Sequence, residues 1–131
     1  MKILFAALLM LLLPVMAYAA ANDILYLYNW NNYISDETLR RFEVSCSCRL
    51  KQDYYSDNEE MLAKLEAGAV GYDLIVPTGN AVESLIRRQA LRPLDKTQLP
   101  RLSNLNPDYL NQWFDPENRY SVPYAYTVTL L

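Results

Sequence analysis

Two aromatic side chains and three amides follow directly on an apolar run near the start of the chain. The run covers Ile24 to Tyr28, and Asn29-Trp30-Asn31-Asn32-Tyr33 comes next. Apolar β-branched and aromatic residues favour a buried strand, so these side chains are predicted at its carboxyl end. Trp and Tyr rings can stack on an apolar ligand or face a cation, and Asn both donates and accepts hydrogen bonds. The stretch predicts a small-ligand site; the alternative is that Trp30 and Tyr33 only cover the core.

A second strand end with small polar residues is predicted further along the chain. Tyr72 to Pro77 is a nearly uninterrupted apolar run, typical of the middle of a parallel sheet, and Thr78, Gly79 and Asn80 follow it. Asn80 can cap a helix, with Glu83 at the capping-box position. In open α/β sheets, ligands bind beyond the carboxyl ends of the strands. We therefore expect the two strand ends to face one crevice.

Helix and strand signals alternate between these two strand ends. Ser35 can cap a helix, and the acidic residues directly after Ser35 would lie at the positive end of the helix dipole. This helix is predicted to end near Val44. Residues 49–55 alternate imperfectly but are β-prone at Tyr54 and Tyr55, which predicts a second strand. Asp57 and Glu60 fit a capping box for the next helix, which glycines at 68 and 71 can end. This order of elements predicts an α/β fold with a mostly parallel sheet flanked by helices.

The composition changes beyond Leu91, where prolines punctuate short polar segments. Such spacing predicts ordered surface loops with short helical turns, for example over residues 108–111. Asp115 to Asn118 is predicted to form a turn. Tyr120 to Leu131 is β-prone throughout and predicts a further strand.

The composition also excludes several classes of function. The 131 residues include 12 basic and 15 acidic side chains, with a net charge of −3, and no His. A mildly acidic chain lacks the basic patch that a nucleic-acid partner requires. Without His there is no Ser-His or Cys-His nucleophile, and no carboxylate pair stands at a predicted strand end. We therefore expect a protein that is not an enzyme, with no metal, no cofactor and no nucleic-acid partner.

The first 19 residues have the features of a secretory signal peptide. Lys2 gives a positive start, Ile3 to Val15 are apolar, and Ala17-Tyr18-Ala19 carries small residues where signal peptidase cuts. A membrane anchor is the alternative, but the run is shorter than the ~20 apolar residues that a spanning helix needs. Residues 1–19 are thus predicted to be removed on export.

Cys46 and Cys48 are separated by one residue. In an extended backbone, a disulfide between them would close a small, strained ring. A labile redox pair, two free thiols and a bond to another chain all remain possible. We expect ordinary packing of two small, semi-apolar side chains.

Four segments in register resemble one known family. They are LYLYNWNNYISDETLRRFE, YYSDNEEMLAKLEAGAVGYDLIVPTGNAVESLI, LRPLDKTQLPRLSNLNPDYLN and NRYSVPYAY. The chain resembles the amino-terminal part of the periplasmic spermidine/putrescine-binding proteins of ABC transporters. The resemblance implies that residues 20–131 are the amino-terminal part of the first lobe of a two-lobed binding protein. It also implies a sequence that is truncated relative to the family.

The resemblance implies seven ligand-binding positions. Trp30 and Tyr33 match an aromatic clamp whose rings flank the methylene chain of the ligand. Asn32 stands where the family usually has an acidic residue that pairs with a ligand ammonium, and a neutral hydrogen bond is roughly half as strong as a charge-assisted one. The other implied positions are Asn31, Thr78, Gly79 and Asn80.

The function implied by the resemblance is the capture of a small cationic polyamine, of putrescine or spermidine type, in the periplasm. The protein would deliver the polyamine to an ABC transporter permease, with no stable membrane insertion after signal cleavage. Two alternatives remain open. One is a sensory protein of the same fold that presents its closed state to a chemoreceptor, and the other is a non-binding truncated remnant.

Overall fold

The computed structural model describes residues 23–127, so the predicted signal peptide lies outside the described residues, as do residues 128–131. The helices and strands in chain order are β1 (Ile24–Trp30), α1 (Asp36–Cys46), β2 (Arg49–Tyr55), α2 (Asn58–Glu66), β3 (Leu74–Ile75) and α3 (Gly79–Arg87). Short 3-10 turns follow over Lys96–Gln98, Leu102–Asn104, Pro107–Tyr109 and Pro116–Asn118. The predicted α/β class is confirmed.

β1 is the central strand of a parallel sheet in the order β2-β1-β3. Tyr28 pairs with Asp53 of β2 on one side and with Ile75 of β3 on the other. The chain runs outward from β1 to β2 and then crosses back over β1 to β3. Because parallel crossovers are right-handed, α1 and α2 cover opposite faces of the sheet. The direction of winding therefore reverses between β1 and β3.

The strands differ in length from the prediction. β1 continues two residues beyond Tyr28, because Asn29 and Trp30 pair with the two tyrosines that end β2. β3 is limited to Leu74 and Ile75, although backbone hydrogen bonds to β1 extend one residue to either side of it. The polar turn after β1 therefore begins at Asn31.

Aromatic side chains form the centre of the core. Tyr28 is fully buried, with its ring stacked on Tyr72 at 4.6 Å between centroids and meeting the edge of Tyr55 at 4.8 Å. Met61 of α2 and Ala81 of α3 close the same cluster. By contrast, α1 has no buried residue within the described part of the chain. No helix among residues 23–127 combines the length and apolar character needed to cross a membrane.

Side-chain caps fix the start of two helices, as predicted. Ser35 Oγ accepts from the Thr38 amide at 3.2 Å, and Asp57 Oδ1 accepts from the Glu60 amide at 2.7 Å. Glu60 reaches back to the amide and hydroxyl of Ser56, one residue before the cap. These bonds lower the pKa of Glu60, since they stabilise its charged form.

The prediction that Asn80 caps the third helix is wrong. The capping position is Thr78, with extended φ/ψ of −73° and 165°, and Asn80 already lies within α3. Thr78 gives no side-chain cap because its hydroxyl bonds to Asn58 instead. The helix therefore begins two residues earlier than the Asn80 cap implied.

Cys46 and Cys48 form a disulfide, so the prediction that they pack as separate small side chains is wrong. The backbone between them is not extended. Ser47 closes α1 in the left-handed conformation, at φ 54° and ψ 33°, and the two Cα atoms lie 5.1 Å apart. That separation is within the ordinary range for a disulfide. The helix-ending turn makes a bond across one residue possible.

The strand predicted over Tyr120 to Leu131 is wrong for residues 120–127, which form no strand. The buried carboxylate of Asp115 accepts from the amides of Arg119, Tyr120 and Ser121 and from the Ser121 hydroxyl. Backbone donors bound to a carboxylate are not available to a sheet ladder. The segment is consequently a loop tied to the Asp115–Asn118 turn.

Phe114 packs against the first residue of α3. A Cβ atom on Gly79 would lie 2.5 Å from Cδ1 and Cε1 of the Phe114 ring. Only glycine fits this approach without movement of the ring. The contact joins the 3-10 region to the body of the domain.

We expect Ser47→Gly to raise the free energy of unfolding by roughly 0.5–1 kcal/mol, because glycine adopts positive φ without a steric cost. Urea unfolding monitored by circular dichroism measures the change. Ser45→Gly is the matched control, since Ser45 lies within α1 and glycine weakens a helix interior. A loss of stability in both variants would contradict the prediction.

We expect Gly79→Ala to lower the free energy of unfolding by roughly 1–3 kcal/mol, the usual cost of overpacking. The same substitution in a Phe114→Ala background should cost little, because the clashing ring is absent. This double-mutant cycle isolates the contact. An equal cost in both backgrounds would show that the Phe114 ring is not what excludes a side chain at residue 79.

Candidate ligand-binding site

The Val76 carbonyl holds two aromatic side chains at the carboxyl end of the sheet. Trp30, the last residue of β1, donates from Nε1 to this oxygen at 2.8 Å, and the Tyr55 hydroxyl donates to the same oxygen. The two rings lie 4.8 Å apart between centroids. Burial raises the pKa of Tyr55, so its hydroxyl stays protonated and can donate this hydrogen bond at every physiological pH.

Trp30 and Tyr33 form a continuous aromatic surface. Their centroids are 5.9 Å apart and their planes are inclined by 27°. Trp30 is half-buried against the core, whereas Tyr33 retains 44% of its exposure. A methylene chain between two rings needs roughly 3.5–4.0 Å to each. Two such contacts would separate the rings by roughly 7–8 Å, whereas the centroids here are 5.9 Å apart. The stacked rings therefore form a single aromatic surface, which we call the aromatic wall.

The amides of the predicted site lie in the turn between the two rings. Asn31 and Asn32 are both exposed, and Asn32 has a positive φ of 58°. Asn29 is different: it is fully buried in β1, and its Oδ1 accepts from the Trp30 amide at 2.8 Å. The exposed pair is therefore available to a ligand, and Asn29 positions the backbone of Trp30.

Thr78 is tied to the first residue of α2. The Thr78 amide donates to Asn58 Oδ1 at 3.2 Å, and Asn58 Nδ2 donates to Thr78 Oγ1 at 3.0 Å. A hydroxyl has one proton and two lone pairs, so Thr78 keeps its donor and one acceptor for another partner. The pair of bonds fixes the β3 end relative to α2.

The other two predicted positions have different environments. Gly79 is half-buried beneath Phe114, so its role in this structure is to admit that ring. Asn80 is exposed in the first turn of α3. Of this pair, Asn80 is the one that presents a polar side chain to solvent.

The structure brings the predicted residues together at two adjacent strand ends. Trp30 ends β1 and residues 31–33 follow it, and Thr78 to Asn80 follow β3, its neighbour in the sheet. The Trp30 Nε1 bond to Val76 spans the gap between them. The sheet order reverses between these strands, and such a switch point is where open α/β sheets bind ligands.

A lysine lies over aromatic rings on the α2 side of the sheet. Lys64 Nζ is 4.6 Å from the Tyr28 ring centroid and 5.4 Å from that of Tyr72. Its ammonium is 3.5 Å from Asp53 Oδ2, which also accepts from the Tyr72 hydroxyl. The Tyr72 hydrogen bond holds the pKa of Asp53 below its usual value. This cluster is made within the chain, and Tyr55 joins it to the aromatic wall, with its ring 4.8 Å between centroids from both Tyr28 and Trp30.

Several residues that shape the site were not predicted from the sequence. Tyr55 lies beside Trp30 because these two residues pair in the β1–β2 ladder. The register of that ladder is known only from the folded structure. The only feature of the sequence that pointed to Asn58 is its position directly after Asp57, the residue that caps α2. Tyr124, which donates to the Tyr33 carbonyl at 2.8 Å, is 91 residues away in sequence and had no local signal.

No protein-family model matches the chain. Individual proteins match it well. A putrescine/cadaverine-binding protein of Pseudomonas aeruginosa is 57% identical over 115 residues, covering 88% of this chain and 32% of the relative. The putrescine-binding periplasmic protein PotF of Escherichia coli is 35% identical over 113 residues, covering 85% of this chain and 30% of the relative. The chain therefore spans about a third of the length of these relatives.

Solved structures agree with the sequence matches. A putative spermidine/putrescine ABC transporter protein from Listeria monocytogenes superposes with a TM-score of 0.75 at 32% identity, over 78% of this chain and 32% of the other. The Tp0655 (TpPotD) lipoprotein of Treponema pallidum gives a TM-score of 0.73 at 38% identity, over 79% of this chain and 33% of the other. The resemblance to the spermidine/putrescine-binding proteins of ABC transporters is thus confirmed, over about a third of their length.

Proposed function

We propose that this protein is a periplasmic solute-binding protein that captures a polyamine of the putrescine or spermidine type and delivers it to an ABC transporter permease. The single observation that carries the proposal is the aromatic wall at the β1/β3 switch point. The names of the relatives, which are polyamine-binding proteins rather than enzymes, support the same conclusion. In this proposal, residues 20–131 are the amino-terminal part of the first lobe.

The aromatic wall suits the hydrocarbon part of a polyamine. The methylenes of the ligand lie along the exposed faces of Trp30 and Tyr33, where apolar contact and cation–π attraction act together. The Trp30 indole is held by the Val76 carbonyl, so the ring is oriented before the ligand arrives. Such preorganisation reduces the entropy lost on binding.

The polar positions suit the ends of the ligand. The side-chain oxygens of Asn31, Asn32 and Asn80 and the remaining lone pair of Thr78 can each accept a hydrogen bond from an ammonium. These side chains are exposed beside the two strand ends. All seven proposed positions are uncharged, so the recognition supplied by this part of the protein is aromatic and dipolar.

We expect removal of either ring of the aromatic wall to weaken putrescine binding several-fold or more, because a cation–π contact contributes roughly 0.5–2 kcal/mol. Trp30→Ala and Tyr33→Ala are measured by isothermal titration calorimetry on the protein at its full encoded length. Tyr33 is the more exposed of the two, so its variant tests the wall with the core intact. Trp113→Ala, at an indole that is 63% exposed, is the control. Wild-type affinity in both wall variants, or no heat with any polyamine in folded wild-type protein, would refute the proposal.

We expect Asn32→Asp to raise affinity for a diamine and to make that affinity fall more steeply with salt, because an ion pair is screened and an amide contact is not. Both residue types tolerate the positive φ at position 32. Asn111→Asp, also at positive φ, adds the same charge at the loop beside Asn118 and controls for net charge. Unchanged affinity at all salt concentrations would mean that Asn32 does not face the ligand ammonium.

A further inference from the structure

Tyr124 connects the last described segment to the turn that carries the aromatic wall. Its hydroxyl donates to the Tyr33 carbonyl at 2.8 Å, and the two rings lie 6.4 Å apart between centroids with their planes inclined by 34°. We propose that Tyr124 is a positioning residue for the ligand site, which holds the Tyr33 ring on Trp30 through the Tyr33 backbone. The expected effect on polyamine affinity rests on the proposed function, whereas the expected effect on the position of the Tyr33 ring does not.

The turn after β1 has little else that fixes it. Asn31 and Asn32 are exposed, and Asn32 adopts a positive φ that non-glycine residues rarely take. On its far side the turn is held by α1, through the cap at Ser35. Between these points, the Tyr33 carbonyl is the backbone group that accepts a long-range hydrogen bond. Loss of that bond leaves the orientation of the Tyr33 ring to its stacking alone.

The chain is anchored at Ser121, three residues before Tyr124. The buried carboxylate of Asp115 accepts from the Ser121 amide at 2.7 Å and from the Ser121 hydroxyl at 2.7 Å. Asn118, also buried, donates from Nδ2 to the Ser121 carbonyl at 3.2 Å. Tyr124 is three residues beyond this anchor, which therefore limits how far the Tyr124 hydroxyl can move from the Tyr33 carbonyl.

The test uses Tyr124→Phe, which removes the hydroxyl and keeps the ring. It is made in a Trp113→Phe background, and the emission of Trp30 is taken as the difference from the same protein carrying Trp30→Phe, so that the emission of every other tryptophan cancels. Tyr126→Phe is the matched control, because Tyr126 is also exposed and stacks on Tyr109 at 4.5 Å. The two readouts are Trp30 emission without ligand and the Kd for putrescine by calorimetry.

The expected result is a red shift of Trp30 emission in Tyr124→Phe, because the Tyr33 ring leaves the indole, with putrescine binding weakened by about two- to tenfold. Tyr126→Phe should change neither. Weaker binding with unchanged emission would overturn the inference, since the hydroxyl would then contact the ligand itself. Wild-type emission with wild-type affinity would also overturn it, as would shifted emission with unchanged affinity. A shift in emission in a protein that binds no polyamine would support the positioning role and refute the proposed function.

Discussion

The Val76 carbonyl is the point on which the geometry of the site depends. It accepts from Trp30 Nε1 and from the Tyr55 hydroxyl, while the Val76 amide donates to the Tyr28 carbonyl at 3.1 Å. Both lone pairs of one oxygen are thereby used, and the backbone of one residue, Val76, bonds to residues of β1 and β2. The orientation of the indole is set by the backbone of β3 rather than by side-chain packing alone. Any displacement of β3 moves both rings together.

Non-glycine residues at positive φ occur at several turns that matter here, and those at positions 32, 47 and 118 are each supported by a bond made at or beside the turn. Ser47 is flanked by the two cysteines of the disulfide, and the turn at Asn32 is held through Tyr33 by Tyr124. Asn118 bonds through its side chain to the Asn111 amide and the Ser121 carbonyl. A left-handed residue that is not glycine persists only where its surroundings compensate for the steric cost. These turns are consequently products of the folded domain.

The sequence predicted the features that follow from residue type and spacing, and it missed those that depend on backbone conformation or on pairing between segments. Helix caps at Ser35 and Asp57 were found, whereas β1 runs past the predicted Tyr28 to Trp30 because it pairs with β2. The disulfide depended on the conformation of Ser47, which residue types do not reveal. The loop over residues 120–127 depended on Asp115, whose buried carboxylate takes the backbone donors of a β-prone segment. The β-propensity was overridden there by hydrogen bonds to a side chain only four to six residues earlier in the chain.

The same distinction applies to the candidate site. Trp30 and Tyr33 were predicted because their types and spacing are visible in a short window of sequence, and the structure stacks them on each other. The partners that hold them, Tyr55, Val76 and Tyr124, come from three other segments. Seen from the sequence, the groups that would meet a ligand are local, whereas the groups that orient them are not.

Lys64 already makes a cation–π contact with the Tyr28 ring, which affects whether an external cation can bind there. Lys64 is covalently tethered, so its ammonium is present above the Tyr28 ring at a high effective concentration, on the order of millimolar or more. Burial adds to this effect, because the Tyr28 ring has no exposed surface that an external amine could reach. Among the described residues, the Tyr28 and Tyr72 rings thus have a cation supplied by the chain itself, whereas Tyr33 keeps 44% of its surface exposed.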